Sequence, residues 1–185
     1  MLSKFYDDML KGNQIKDLVK VMLEKSGYSV YPYGYESTLL NLKKTLRARG
    51  TRNSRTVRRI RSSPDLLVYD EESKDLMLVE VKMRRTPKKT SVKYLRLANY
   101  REFWNDSILI VVIPEGNVFY AQKMSELEIK QNEEYNATTD FEKLEHIFKR
   151  VKAEDISHFK TQALQIMKKK IIAEPKELIR ISGKA

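Results

Sequence analysis

The sequence contains no cysteine, which excludes a disulfide framework and any metal site built on thiolates. It also has no apolar run of the roughly 18 to 20 residues that a membrane-spanning helix requires. The first ten residues, MLSKFYDDML, carry acids and no long apolar core, which is not the pattern of a secretory signal. We therefore expect a soluble, cytoplasmic protein without a membrane partner.

The patterns of several enzyme classes are missing as well. The two histidines, His146 and His158, show no metal-ligand spacing, and neither lies near a candidate serine nucleophile. No glycine-rich phosphate-binding pattern is present. The sequence therefore does not support a triad hydrolase or a nucleotide hydrolase.

Acidic residues are absent from residues 43–61, KKTLRARGTRNSRTVRRIR, which hold nine lysines and arginines. The whole chain has 36 basic and 25 acidic residues, and its net charge is +11. An excess of this size favours a polyanionic partner, first nucleic acid and second an anionic membrane, with solubility alone as the alternative. The concentration of the charge in one stretch favours nucleic acid.

Hydrophobic spacing predicts an α/β layered domain. A length of 185 residues suits one domain with its own core. Helices are predicted over 3–26, 36–47, 92–104 and, in one or two pieces, 140–172; strands are predicted over 28–36, 65–70, 75–82, 107–114 and 117–122. We expect the basic residues after 47 to form a loop or a loose hairpin, and the run SILIVVIP to be a central strand covered on both faces.

Charged residues interrupt the second of two neighbouring strands. Alternate strand residues share a face, so Glu80 and Lys82 point the same way with Cα atoms roughly 6 to 7 Å apart. If the preceding strand pairs with this one, Asp65 reaches the same place, and two carboxylates converge beside an ammonium group. A magnesium ion would remove their repulsion, and the Val81 carbonyl would add a ligand. Alternatively, Asp65 caps a turn and Glu80 and Lys82 form an exposed pair.

Such a site would support metal-assisted hydrolysis of a phosphodiester. Lys82 would orient or help to deprotonate the attacking water, or stabilise the negative charge that builds on phosphorus. Lysine suits these roles because it is a compact point charge whose pKa shifts readily.

Pro64-Asp65 and Glu80-Val81-Lys82 resemble the signature of the PD-(D/E)XK nuclease superfamily. Residues 11–30 are similar to the first helix of archaeal Holliday-junction resolvases, and the similarity extends over about residues 11–121. The resemblance implies a restriction-endonuclease-like core with a mixed central β-sheet flanked by α-helices, in a single domain of residues 1–185 with a C-terminal helical extension over about 140–185. It further implies a homodimer that cleaves DNA with Mg²⁺ or Mn²⁺, with Asp65 and Glu80 as metal ligands and Lys82 as the catalytic lysine.

The sequence departs from the resolvases in the first helix, where Lys16 stands at the position of their glutamate. Asp17 is adjacent, but it lies on the side away from the apolar stripe. Glu36 is the better candidate for a third metal ligand, and the alternative is that it is an acid at a helix N-terminus. If neither serves, the chain would be a weak or inactive enzyme that binds nucleic acid on the same fold.

The basic residues near the signature are expected to contact DNA phosphates, which gives salt-dependent affinity with little dependence on base sequence. A solvated loop is the alternative. Tyr31, Tyr33 and Tyr35 alternate, and they form either a packing or dimer surface, which we favour, or a platform for unpaired bases. The predicted phosphate-binding residues are Arg52, Arg55, Arg58, Arg59, Arg61, Arg84 and Arg85.

Together these features predict a Mg²⁺-dependent endodeoxyribonuclease, with branched or junction DNA among its substrates. The alternative is a nucleic-acid-binding module without cleavage activity.

Overall fold

A mixed six-stranded sheet organises the structure, a computed structural model that describes residues 2–34, 54–85, 100–114, 116–127 and 135–168. The strands lie in chain order, and only β3 and β4 run parallel. They are β1 (Ser29–Pro32), β2 (Leu66–Tyr69), β3 (Leu76–Met83), β4 (Ile108–Val112), β5 (Phe119–Lys123) and β6 (Glu142–Lys143). The predicted α/β class and mixed sheet with flanking helices are confirmed.

The helices are distributed along the whole described chain. They are α1 (Leu2–Lys25), α2 (Arg55–Arg61), α3 (Ala137–Asp140), α4 (Leu144–Ile147) and α5 (Ala153–Lys168), and a 3₁₀ turn covers Met124–Glu126. Residues 100–103 are also helical. In the described residues, no helix combines the length and the apolar character needed to cross a lipid bilayer.

Helix α1 packs against one face of the sheet, as its apolar spacing predicts. Ile15, Val19, Met22 and Leu23 are fully buried there, and each such side chain contributes about 1.5 to 3 kcal/mol through burial. The helix ends at Lys25, and Gly27 follows with a φ of +89°, the left-handed conformation that favours glycine. The amide of Gly27 donates to the Glu24 carbonyl, and the amide of Tyr28 donates to that of Leu23, which satisfies the last turn.

The two faces of the sheet carry different cores, because alternate strand residues point to opposite sides. Val79, Val81 and Ile110 join the side chains of α1 and α5 in one cluster, on what we call the α1 face. Leu109, Val111, Tyr100 and Trp104 form a second cluster, on the Trp104 face, against which Leu78 packs. All five residues of β4 are buried, so the predicted central strand is confirmed.

Arg150 joins the end of β2 to the segment before α5. Its Nη1 donates to Asp70 Oδ1 at 3.1 Å, and its guanidinium lies 5.5 Å from the centre of the Tyr28 ring. Burial opposes ionisation of Asp70, but hydrogen bonds from the Glu72 amide and the Arg150 guanidinium outweigh it and lower the pKa of this carboxyl. A side chain at Gly27 would collide with the same guanidinium.

Two of the predicted elements differ from the structure. The basic stretch contains helix α2 rather than only a loop or hairpin, and Ser54 caps it by accepting from the Val57 amide at 3.2 Å. The segment predicted to be helical over 140–172, in one or two pieces, contains the two helices α4 and α5, but the two-residue strand β6 precedes them. The helix predicted over 36–47 and residues 92–99 of the next one lie outside the described residues.

Candidate active site

The sheet register places Asp65 opposite Glu80. In the antiparallel ladder between β2 and β3, Leu66 pairs with Val79. Continuing this register by one residue places Asp65, which precedes β2, opposite Glu80. The Asp65 carbonyl accepts hydrogen bonds from the amides of Tyr33 at 2.9 Å and Gly34 at 3.2 Å. The start of β2 is therefore held between its two neighbouring strands.

The Asp65 side chain reaches the backbone of β3 directly. Its Oδ2 accepts a hydrogen bond of 3.0 Å from the amide of Val81, the residue between Glu80 and Lys82. The carboxylate is thus fixed beside the Glu-Val-Lys triplet. The hydrogen bond uses the Val81 amide, and the role predicted for its carbonyl as a metal ligand stays a prediction.

Glu80 and Lys82 lie on the same side of β3 and form an ion pair through Glu80 Oε1. Glu80 is 3% exposed. The Lys82 ammonium lies 5.9 Å from the centre of the Tyr100 ring, which belongs to the Trp104 face. The alternative of an exposed pair on a solvated strand is therefore excluded.

The second oxygen of Glu80 has no hydrogen bond in the described part of the molecule. Oε2 is completely buried. A buried polar atom without a partner costs about 1 to 3 kcal/mol, and more when the group is charged. A hard cation at this oxygen would remove the cost, and carboxylates are the ligands that Mg²⁺ and Mn²⁺ prefer. The chemistry around Glu80 and Asp65 therefore fits such an ion.

Lys16 contacts the other predicted metal ligand. Its ammonium lies 2.7 Å from Asp65 Oδ1, and the two side chains are 34% and 14% exposed. Lys16 comes from α1, so Asp65 links that helix to β3. The sequence shows that Lys16 departs from the resolvases. It does not show that this lysine binds Asp65, because the packing of a helix on a sheet leaves no pattern among neighbouring residues.

A third acidic ligand is not found in the described ranges, where no group of three histidine, aspartate or glutamate side chains could hold a metal. Asp17 is exposed and lies with Gln162 and Ile166 along a groove between α1 and α5. It is therefore not part of this cluster. Glu36 lies outside the described residues, and its role as a metal ligand remains a prediction.

Helix α2 carries its arginines onto the Trp104 face. Arg55 and Arg58 both pair with Glu102, at 3.3 and 3.0 Å, and both lie over the Phe103 ring. Arg59 lies over Trp104, whose indole donates to Ser62 Oγ at 3.2 Å. These contacts fix α2 against residues 100–104, and Glu102 offsets part of its charge.

The predicted phosphate-binding residues differ in how much of their charge is available. Arg59 and Arg61 are exposed, and no acidic partner is found for either within the described segments. Arg85, in contrast, pairs with Asp8 and lies 3.9 Å from Asp7. Arg84 donates to the Met83 carbonyl at 2.9 Å. Arg52 lies outside the described residues.

The alternating tyrosines of the predicted row differ in their surroundings. Tyr31 is 55% exposed on the edge strand β1, whereas Tyr33 packs edge-to-face with Trp104 at 6.1 Å. Tyr35 lies outside the described residues. Trp104 is buried. Tyr33 therefore serves packing, and Tyr31 alone of the two presents a free ring surface.

Searches against models of known protein families and against curated proteins found no match to this chain. We therefore infer the function from the geometry of Asp65, Glu80, Lys82 and the residues around them.

Proposed function

We propose that the protein is a metal-dependent endonuclease that hydrolyses phosphodiester bonds in DNA, on a restriction-endonuclease-like core. One observation carries the proposal. Asp65 is hydrogen-bonded to the amide between Glu80 and Lys82, beside a buried Glu80 oxygen without a partner in the described residues. A carboxylate at the start of β2, with a carboxylate and a lysine on the neighbouring strand β3, are the groups that this reaction requires.

Asp65 and Glu80, with the Val81 carbonyl, would hold Mg²⁺ or Mn²⁺. The chemistry that such an ion supplies when bound is polarisation of the phosphodiester and a lower pKa for a coordinated water. Glu80 orients the Lys82 ammonium, which donates a hydrogen bond to the attacking water or to a phosphate oxygen. In the second role it offsets the charge that develops on phosphorus. Residues 79–81 of β3 and all of β4 are buried, which limits the movement of these groups.

The arginines support DNA as the substrate. Arg59 and Arg61 project from α2, which packs on the face of the sheet that carries Lys82. Their charges would bind backbone phosphates without reading bases. A preference for branched or junction DNA and assembly as a homodimer are part of the proposal, and both rest on the resemblance to resolvases.

The test is incubation of the protein with supercoiled plasmid and with a four-way junction, in Mg²⁺, Mn²⁺ or EDTA. We expect metal-dependent cutting that Asp65→Asn and Glu80→Gln each abolish while DNA binding survives. Asp75→Asn is the matched control, because Asp75 is an exposed carboxylate on the same β2–β3 hairpin. Equal cutting by all variants would overturn the proposal.

A second candidate is a DNA-binding module without cleavage activity. The ion pair between Lys16 and Asp65 favours it, because an ammonium group already contacts the carboxylate that should bind the metal. Binding without any cut in every metal would support this module against the nuclease.

A further inference from the structure

Four charged side chains form two ion pairs at the candidate site, and the hydrogen bond from the Val81 amide to Asp65 sets one pair beside the strand that carries the other. Lys16 pairs with Asp65, and Lys82 pairs with Glu80. The formal charge of this quartet is therefore zero. A divalent cation added to it would face two ammonium groups, and like charges a few ångströms apart repel strongly in a partly buried site. The two ammonium groups therefore oppose the cation binding that the carboxylate oxygens favour.

Both oxygens of Asp65 already accept a donor. Oδ1 accepts from Lys16 at 2.7 Å, and Oδ2 accepts from the Val81 amide at 3.0 Å. The amide belongs to the sheet and cannot leave. Each oxygen keeps a second lone pair, so a cation that binds Oδ1 shares that oxygen with the Lys16 ammonium and is repelled by it.

The two lysines differ in their freedom to move. The Lys82 side chain is 19% exposed and is tied to a Glu80 side chain that is 3% exposed. The Lys16 side chain is 34% exposed, on a helix that Ile15 and Val19 anchor to the core. Its flexible stem can move the ammonium from Asp65 into solvent or onto a nearby anion without any change in α1.

We propose that Lys16 couples metal binding to DNA binding at this site, an inference that rests on the proposed nuclease function. In the free protein the Lys16 ammonium neutralises Asp65. When DNA binds, a phosphate takes up the ammonium, and Asp65 becomes available to the cation. The phosphate supplies one negative charge against the two positive charges of the cation, so it offsets half of the charge that the cation adds to the neutral quartet.

Such coupling is reciprocal, so a cation must strengthen DNA binding by the factor by which DNA strengthens cation binding. The same coupling weakens the binding of a metal ion when no DNA is bound. Lys16 would then act as a positioning residue, because it acts through Asp65, and its removal would strengthen metal binding in the absence of DNA.

The first measurement is a titration of the DNA-free 185-residue chain with Mn²⁺, followed by electron paramagnetic resonance. We expect Lys16→Met to bind Mn²⁺ about tenfold more tightly than the wild type, within the range usual for coupled sites. Lys16→Glu should bind more tightly still, because it adds a carboxylate. Lys20→Met is the matched control: Lys20 lies on the same helix, is 32% exposed and pairs with Glu24.

The second measurement is the anisotropy of a labelled four-way junction titrated with protein in EDTA or in Ca²⁺, a hard cation that takes the same oxygen ligands. Recovery of intact junction from the sample shows that binding alone was measured. Wild type and Lys20→Met should bind the junction more tightly in Ca²⁺, by about tenfold. Lys16→Met should show a much smaller gain.

The outcomes separate this inference from the proposed function. If the wild type binds Mn²⁺ without DNA as tightly as Lys16→Met, the coupling by Lys16 is overturned and the nuclease proposal stands. If no variant binds Mn²⁺ or Ca²⁺ with or without DNA, the metal site itself is wrong and both fall. Thermal melting of each variant checks its fold, and Lys16→Gln replaces any variant that does not fold.

Discussion

The Asp65 carboxylate accepts a hydrogen bond from the backbone amide of Val81, so a side chain that precedes one strand is fixed to the middle of the next. Glu80 and Lys82 flank that amide in sequence and share the Trp104 face. The sheet register, rather than a loop, brings these groups together. Groups held by buried strands keep their geometry, which is what a site for metal-assisted chemistry needs.

Lys82→Met should destabilise the protein by about 3 kcal/mol, because it leaves the buried Glu80 carboxylate without its ion-pair partner. If the carboxylate is also a metal ligand, Mg²⁺ should restore part of the loss. Urea unfolding with and without Mg²⁺ measures both effects.

Lys123→Met is the control for that experiment. Lys123 pairs with Glu126, but both side chains are 51% exposed. Its loss should change stability by about 0.5 kcal/mol or less, as is usual for exposed pairs. A Lys82→Met variant as stable as this control would contradict the buried ion pair.

Replacing both Arg59 and Arg61 by glutamine should weaken binding to DNA of any sequence. The slope of log affinity against log salt should fall by about 1.8, because each lost phosphate contact removes about 0.9. Fluorescence anisotropy over a series of salt concentrations gives the slope. Arg85→Gln is the control, since Asp7 and Asp8 offset the charge of that arginine. An unchanged slope in the double variant would exclude these two arginines from the interface.

Asp70→Asn should remove part of the pH dependence of stability. The pKa of Asp70 in the folded protein is below its ordinary value of 3.8, because the hydrogen bonds from Glu72 and Arg150 outweigh the opposing effect of burial. Its contribution to stability is therefore present above about pH 4 and is lost as the pH falls through the folded value.

Chemical unfolding at several pH values tests the role of Asp70. The stability difference between wild type and Asp70→Asn should be largest near neutral pH and should shrink below about pH 4. Asp75→Asn, at an exposed position of the same hairpin, is the matched control for the substitution itself. A difference between wild type and Asp70→Asn that stays constant with pH would contradict the assignment.

Local pattern was sufficient for several parts of the fold. The apolar spacing of α1 and the continuous run of β4 identify their own burial, because each depends on residues close in sequence. The proximity of Asp65 to Glu80 also follows from two local facts, the alternation of strand residues and the short turn between β2 and β3. That Glu80 and Lys82 share a face of β3 follows from the alternation of strand residues alone.

The elements that the sequence does not predict, helix α2 and strand β6, depend on contacts between distant segments. Helix α2 has only Val57 and Ile60 as apolar residues among its arginines, and its stability comes from Ser54 and from packing on Phe103 and Trp104. The two-residue strand β6 exists only because it pairs with β5.

The contact between Lys16 and Asp65 is likewise not predicted by the sequence. It spans 49 positions and requires α1 to lie beside the start of β2. No pattern of nearby residues records such an arrangement, although the unusual lysine at this position was visible in the sequence.

The central claim is that one cation bridges Asp65 and Glu80, and the most direct measurement is anomalous scattering from crystals of the protein grown with DNA and Mn²⁺. We expect a manganese peak about 2.1 Å from an oxygen of each carboxylate, with the Lys16 ammonium moved from Asp65 to a phosphate. A complex with DNA bound and Mn²⁺ present, in which Lys16 still contacts Asp65 and no manganese lies between the carboxylates, would contradict the account.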